Sequence, residues 1–428
     1  MARILVCADG YFRYFSPVAL EPYIESFINV LARHGNIVMP YIAKDFESSK
    51  SWKRKLISHK AVSEVKKFDP EIVFAFNNSF DTSFFKSFNC PVFIVASDSP
   101  IYWKNKDYLK RYSDLYSVLY FNDDMRDVLL NEYKIPFNRQ YVIPYSTDIK
   151  SNSLIEQDKQ ISFIGNFYNP STWMFNYLFS NLKSMSDDNK LKLRHLFISF
   201  IDELNLHHSK TQKALEIYKQ IISLLGRDLG YEQCISRAFE MLTSEKRIEL
   251  LSSLKDLDLN IYTWDQNLNC VANFYTLFKK CFYNAIYTTQ ANQEIYNSSI
   301  ISLSMPHAQV NTGFSWRVCD IMASNSLLIA NPTDDLFKLF GGIIPTYKTS
   351  NELRDKCLYY LNNELERKEI VNTCNRLIDK NHRYENVFAI VENITGIKLL
   401  YVSDPTTIKE FSRVERRKQN YLKDSNNG

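Results

Sequence analysis

The sequence predicts an α/β protein made of two Rossmann-like domains, the second carrying a helical insertion. Three observations carry that reading. Short apolar runs alternate with helical patterns through the first third of the chain, the mark of a parallel sheet with crossover helices. A second unit of the same kind opens at Lys159-Gln-Ile-Ser-Phe-Ile-Gly-Asn166, a strand with glycine at its end. A chain of 428 residues also exceeds what one hydrophobic core usually supports.

Taken in order, Arg3–Ala8 reads as the first strand and ends in Asp9-Gly10. Val18–His34 reads as an amphipathic helix, and Gly35–Pro40 with its neighbours as a second strand. Phe68-Asp-Pro-Glu-Ile-Val-Phe-Ala-Phe76 sets a turn directly before a buried strand, and Cys90–Ser97 repeats the pattern. Ser117–Phe121 and Tyr141–Pro144 finish the set, each followed by polar residues. Buried strands whose C-terminal ends open into polar loops are where open α/β sheets place ligands. From about residue 171 to 249 the chain turns helical, with Lys190–Leu204 and Thr211–Leu225 the clearest periods, and this stretch reads as the insertion. Strand patterns return at Leu259–Trp264, Ile300–Leu303 and Leu327–Ala330. A long charged helix is expected from Ser350 to about Asp379, and a basic helix over Asp404–Asp424 with a disordered tail. The expected division is 1–157, 158–400 and 401–428, with a C-terminal helix returning to the first domain.

Composition narrows the class. A hydrophobic content of 45% with 14% aromatics supports packed cores and excludes a mainly disordered chain. A net charge of +4 is too small for a dedicated nucleic-acid binder, so no nucleic-acid partner is expected. No apolar run approaches the roughly 18 residues that cross a bilayer. The N-terminus is a short strand ending in an acid and not a signal peptide, so a cytoplasmic protein is expected. The 8 cysteines are scattered with no CxxC pair and read as reduced structural thiols. Neither Cys nor His supplies clustered zinc ligands, and no metal site is assigned.

The chemistry concentrates in Ile295–His307, Asn311–Ala323 and Leu327–Asp334, which read as strand, loop, helix, strand, loop. Asn311-Thr312-Gly313-Phe314-Ser315 supplies a turn and a serine suited to cap the next helix. The first turn of that helix would expose free N–H groups to a diphosphate. Arg317 adds a planar cation there. Asp320 shares its face and can accept hydrogen bonds from ribose hydroxyls. Alone, such a pair is more often a plain surface ion pair; the surrounding strand-loop-helix order favours a site.

These stretches resemble the CgeB-like glycosyltransferases, the spore-maturation-protein group. Its C-terminal domain belongs with the glycosyl transferase group 1 type of GT-B enzymes. The matching pieces are Ile161-Ser-Phe-Ile-Gly165, Tyr296-Asn-Ser-Ser-Ile300, and Gly313-Phe-Ser-Trp-Arg317 with Asp320-Ile-Met-Ala323 and Leu328-Ile-Ala330. A weaker piece runs from Arg247 to Leu259. The resemblance covers roughly residues 160–380 and implies GT-B architecture, two Rossmann-like domains facing a cleft. It further implies a nucleotide-sugar donor held by Gly165, Asn166, Thr312, Gly313, Ser315, Arg317 and Asp320. Many retaining relatives carry a spaced pair of glutamates; Thr312 and Asp320 stand at those positions here, so the first acid is missing.

Three residues are weighed for catalysis. His307 follows a buried strand and could meet a donor phosphate or shuttle a proton. Asp9 and Asp98 each end a strand of the first domain, where a transferase needs a base for the acceptor hydroxyl. Acids there are also common turn formers. The basic stretch Lys50–Lys67 suits peripheral contact with an anionic membrane or an acidic acceptor, or is a plain solvated helix face, and Arg413–Lys418 has the same functional and plain readings. The expected reaction moves a sugar from a nucleotide-diphosphate sugar to a glycan or glycoconjugate hydroxyl. It needs no cofactor or metal, because Arg317 and the helix N-terminus stabilise the leaving diphosphate. A nucleotide-sugar 2-epimerase of the same fold and a non-catalytic binding protein stay open as alternatives.

Overall fold

The computed structural model describes residues 1–9, 11–13, 16–43, 63–77, 88–100, 103, 106–122, 124–168, 185–207, 211–263, 275–282 and 288–401. They form two compact units. One gathers Met1–Lys150, Tyr287–Gln293 and Arg376–Gly428; the other gathers Ser151–Ile286 and Glu294–Asn375. Most of the basic stretch Lys50–Lys67, the expected C-terminal helix and tail, and the first part of the insertion lie outside the described residues.

In the first unit the strands are β1 (Arg3–Asp9), β2 (Tyr11–Arg13), β3 (Ser16–Ala19), β4 (Ile37–Ala43), β5 (Ile72–Phe76), β6 (Val92–Val95), β7 (Ser117–Tyr120) and β8 (Gln140–Val142). Six of them form a parallel sheet in the order β4-β1-β5-β6-β7-β8. β5 is buried at every position, as a strand covered on both faces must be, which is why it is apolar throughout instead of alternating. The helix Pro22–Arg33 starts later than the expected Val18, because Ser16–Ala19 pairs antiparallel with β2. Proline is at home in that first turn, where its missing N–H would be unpaired anyway. Ile24, Phe27, Ile28 and Leu31 are the buried stripe of this helix. Phe27 meets the rings of Phe74 and Phe388 edge-on, each at 5.0 Å.

Phe388 belongs to the helix Tyr384–Thr395, which the sequence reading did not separate from its surroundings. Its attachment to the first unit is extensive. Arg383 Nη1 donates to the carbonyls of Thr147 (3.3 Å) and Ile149 (2.5 Å), and Asn36 Nδ2 to that of Leu399 (2.7 Å). His34 Nε2 pairs with Glu385 Oε1 at 3.0 Å, which holds the imidazole above its ordinary pKa and the carboxyl below its own. Packing therefore groups the chain from Arg376 onward with the first unit, which a linear division at residue 158 does not anticipate. The single long helix expected from Ser350 is two, Ser350–Asn362 and Glu364–Asn381. Asn363 breaks it with a non-helical backbone, its side-chain amide donating to the Tyr359 carbonyl at 2.7 Å.

The second unit holds β9 (Lys159–Ile164), β10 (Leu259–Tyr262), β11 (Cys281–Phe282), β12 (Ser299–Ser304) and β13 (Leu327–Ala330). They form a parallel sheet in the order β11-β10-β9-β12-β13. The helices Asp187–His207, Gln212–Leu225 and Tyr231–Ser252 fill the connection from β9 to β10. Thr211 caps the second of these through the Ala214 N–H, and Gly226 at φ 66° ends it. The expected strand beginning at Ile295 is instead the end of the helix Thr289–Ser298, which runs directly into β12.

Both sheets contain a point where strand order reverses: between β1 and β5 in the first unit, and between β9 and β12 in the second. At such a point neighbouring connections leave on opposite faces, opening a crevice beyond the strands' carboxyl ends.

Candidate functional site

In the second unit, β9 ends at the reversal point in Gly165-Asn166. A Cβ on Gly165 would stand 2.5 Å from Cζ of Phe163, whose ring is fully buried and has no room to swing away. Gly165→Ala is accordingly expected to destabilise the unit by about 1–3 kcal/mol, read as a lower urea midpoint with an unchanged slope. Beside it, β12 runs out through Met305 to His307.

One side chain ties these two strand ends together. Arg247, from the helix Tyr231–Ser252, donates through Nη1 to the Asn166 carbonyl (2.5 Å) and through Nη2 to that of Met305 (2.7 Å). It is 5% exposed, its Nε has no hydrogen-bond partner, and among the described residues no carboxylate pairs with it. Burial lowers its pKa to about 10, with the nearby charge of Arg317 pushing the same way. The group is still a cation at neutral pH. A buried cation normally persists only when paired, so this one is poised for an anion. Arg247 entered the sequence reading only as the start of a weaker matching piece. A signal was available: it sits on the buried stripe of its helix with Phe239, Thr243, Ser244, Leu250 and Leu251, a stripe expected to be apolar or small.

His307 packs edge-on against Tyr168 with ring centroids 5.3 Å apart, and its Nδ1 accepts from the Gln309 N–H at 3.3 Å. Burial and the Arg247 charge bring its pKa down to about 3. The imidazole is therefore neutral, with its proton on Nε2, and acts as a hydrogen-bond donor. A proton shuttle near neutral pH, one of the two roles weighed above, needs a pKa close to 7 and does not fit.

The loop Asn311–Ser315 leads into the helix Arg317–Met322. Trp316, not Ser315, occupies the N-cap position, and no side chain caps this helix. Ser315 Oγ instead lies a long 3.4 Å from both the backbone N and Nη1 of Arg317, and the Ser315 carbonyl takes the Val318 N–H at 2.9 Å. The Thr312 carbonyl accepts from the Asp335 N–H at 3.0 Å, and Gly313 is buried. Arg317 and Asp320 are both partly exposed. The charges of both act on Tyr296, a residue to which the sequence alone gives no role. Its hydroxyl is buried without a partner, and burial is the main cause raising its pKa. The Asp320 charge raises it further, while the Arg317 charge opposes. Arg317 thus couples electrostatically to Arg247 on one side and to Tyr296 on the other.

In the first unit, Asp98 follows β6 and is exposed by surface area, yet the protein around it raises its carboxyl pKa. Its backbone N–H and one carboxylate oxygen bond the side chain of Asn77. Asp9 is the last residue of β1; its side chain lies outside what is described.

The chain contains one Asp-x-Asp, Asp256-Leu257-Asp258, the short acidic pair with which metal-using transferases hold a cation. Asp256 is held by both Arg354 Nη atoms at 2.6 Å, and Asp258 accepts the Gln160 N–H at 3.1 Å. The pair precedes β10, at the opposite sheet end from Gly165. Among the described residues no group of three or more His, Cys, Asp or Glu converges as a metal cluster, and no helix is long and apolar enough to cross a membrane.

Residues 238–393, which include Arg247, Tyr296, His307, Arg317 and Asp320, match the Glycosyl transferase-like family. No curated protein matches the sequence. Among solved structures, HepE of Anabaena, in complex with UDP and glucose, aligns with a TM-score of 0.51 at 9% identity over 93% of this chain and 100% of its own. The β-glucosyltransferase of phage T4, as a point mutant with UDP-glucose, gives 0.51 at 10% identity over 92% and 99%. Sucrose-phosphate synthase of Thermosynechococcus elongatus gives 0.51 at 9% over 91% and 97%. At such identities the likeness establishes the fold. The chain has the GT-B fold, carries a glycosyl transferase-like domain, and is a transferase of that class.

Proposed function

We propose that the chain transfers a sugar from a nucleotide-diphosphate sugar to a hydroxyl of a glycan or glycoconjugate, without a metal ion, and that it is of the CgeB-like subtype. The observation that carries this is the buried Arg247 guanidinium, unpaired by any described carboxylate and electrostatically coupled to Arg317 at the β9/β12 reversal point. A diphosphate is the ligand that two adjacent guanidiniums and an unpartnered Nε suit best. In this reading Arg247 and Arg317 neutralise the leaving diphosphate. Asp320 accepts from the ribose hydroxyls, and the His307 Nε2–H donates to a donor oxygen. The backbone of Gly165 and Asn166 lies against the donor at the end of β9, the missing Cβ of Gly165 making room for the Phe163 ring. Asp98 serves as general base toward the acceptor, with Asp9 the alternative. The protein acts in the cytoplasm, its basic stretches making any contact with an anionic membrane.

UDP-glucose is the first donor to try, since HepE is described with UDP and glucose and the phage enzyme with UDP-glucose. Thermal unfolding with UDP, GDP, ADP, TDP and their glucose conjugates, for the wild type and Asp320→Ala, is the test. One nucleotide series at 100 times its Kd should stabilise the wild type by about 2.7 kcal/mol, and the variant should lose most of that. If no nucleotide moves the melting temperature, a donor site at Arg317 and Asp320 is wrong.

A further inference from the structure

The carboxyl ends of β5 and β6 hold an arrangement the sequence reading did not single out. Asn77, the residue after β5, adopts φ 53°, a left-handed conformation uncommon for a residue with a side chain, though asparagine tolerates it best. Its backbone N–H still extends the ladder, donating to the Val95 carbonyl at 2.8 Å. With the backbone turned this way, the side chain makes a reciprocal pair with the neighbouring strand end. Nδ2 donates to Asp98 Oδ2 at 2.9 Å, and Oδ1 accepts the Asp98 N–H at 3.0 Å. The carboxylate is thus held by one oxygen while the other faces away from the amide, and solvent reaches the group. Close by, the Tyr23 hydroxyl of helix Pro22–Arg33 donates to Ser97 Oγ at 3.2 Å.

We propose that Asn77 is the positioning residue for Asp98: it fixes the carboxylate through Oδ2 and leaves Oδ1 to take the proton of the acceptor hydroxyl. This rests on the reading of Asp98 as general base and adds the group that makes it work. Two opposing effects bear on the Asp98 proton. Surrounding protein favours the neutral acid, and the amide hydrogen bond favours the carboxylate. The groups at this strand end are Asn77 from β5, Ser97 beside Asp98, and the phenol of Tyr23 from the helix. No charged group among the described residues contributes to the Asp98 shift. Asn77 is therefore the lever that favours the carboxylate against the surroundings that favour the acid. A left-handed backbone at a ligand-facing strand end, maintained for one side-chain contact, fits a functional and not a packing role.

The test uses Asn77→Gly, which accepts the same backbone angle and removes only the amide, and Asn77→Asp, which keeps the size and sets two carboxylates face to face. The Asp98 carboxyl is followed by 13C NMR of aspartate-labelled full-length protein, assigned with Asp98→Asn. Its titration midpoint should rise in Asn77→Gly and rise further in Asn77→Asp, because each removes stabilisation of the charged form. The acid limb of kcat/KM for UDP-glucose hydrolysis, or for the donor that binds, should move to higher pH in the same order. The rate at pH 7 should fall roughly 10-fold or more in Asn77→Gly. A midpoint unchanged in both variants overturns the proposal, as does a shifted midpoint with an unmoved acid limb. Neither result touches the donor site, which is judged by nucleotide binding in the second unit and does not involve Asn77.

Discussion

Asp98→Asn is expected to lower kcat by about 10²–10⁴-fold while nucleotide affinity, measured by calorimetry, stays within about twofold of the wild type. The asymmetry follows from where the residue stands. Asp98 follows β6 of the first unit, and Arg247, Arg317 and Asp320 all belong to the second. A base that removes the acceptor proton contributes to the chemical step and not to holding the nucleotide, so kcat should take the loss. Asparagine keeps the shape and one hydrogen-bonding oxygen, so folding is not at stake. If kcat survives with less than a tenfold change, Asp98 is not the base, and Asp9 is the next residue to replace.

Arg247→Met is expected to weaken nucleotide-diphosphate binding on the order of 100-fold without a matching loss of stability in the ligand-free protein. Two effects compete in the unliganded state. Removing the guanidinium leaves the Asn166 and Met305 carbonyls without their donor, at about 1–3 kcal/mol each. It also removes a buried cation that no described carboxylate offsets, whose burial costs several kcal/mol. The second effect is of the same size as the first, and methionine refills the volume, so the net change should be small or favourable. Urea denaturation of the apo form and calorimetry with the nucleotide read the two quantities separately. A steep loss of apo stability with intact binding would make Arg247 a structural clamp between strand ends and would take away the main support for the donor site.

Much of this was legible in the residues. The strands β5, β6 and β13 fall inside apolar runs bounded by polar turns, because a strand covered on both faces must be apolar at every position. The helix after Thr211 is legible from its period, and the structure adds Thr211 and Gly226 as its caps. Gly165, His307, Arg317 and Asp320 stand out in the sequence because a nucleotide site on a parallel sheet uses strand ends and the helix that follows. Arg247 was passed over because the arginine lies far from those strand ends in sequence and reaches them only through the packing of its helix. Tyr296 reads as part of a strand entry, but it lies near the end of the helix Thr289–Ser298, where its buried hydroxyl feels the charges of Arg317 and Asp320. Asn77 carried no pattern at all; its meaning depends on a backbone angle and on a strand that begins fifteen positions later in the chain.

What the sequence determined by itself is what local periodicity and local chemistry can specify: two α/β units, a helical excursion after β9, a glycine at the end of β9 and a charged helix after β12. What only the tertiary structure decided is which distant groups meet and in what electrical state. The return of Arg376 onward to the first unit, the neutral His307, the Arg247 cation without a carboxylate and the Asn77–Asp98 pair all belong to that second class. The physical reason is that burial and electrostatic coupling act through space. Their size depends on desolvation and on neighbours a few ångströms away, and neither quantity is written in the order of residues along the chain.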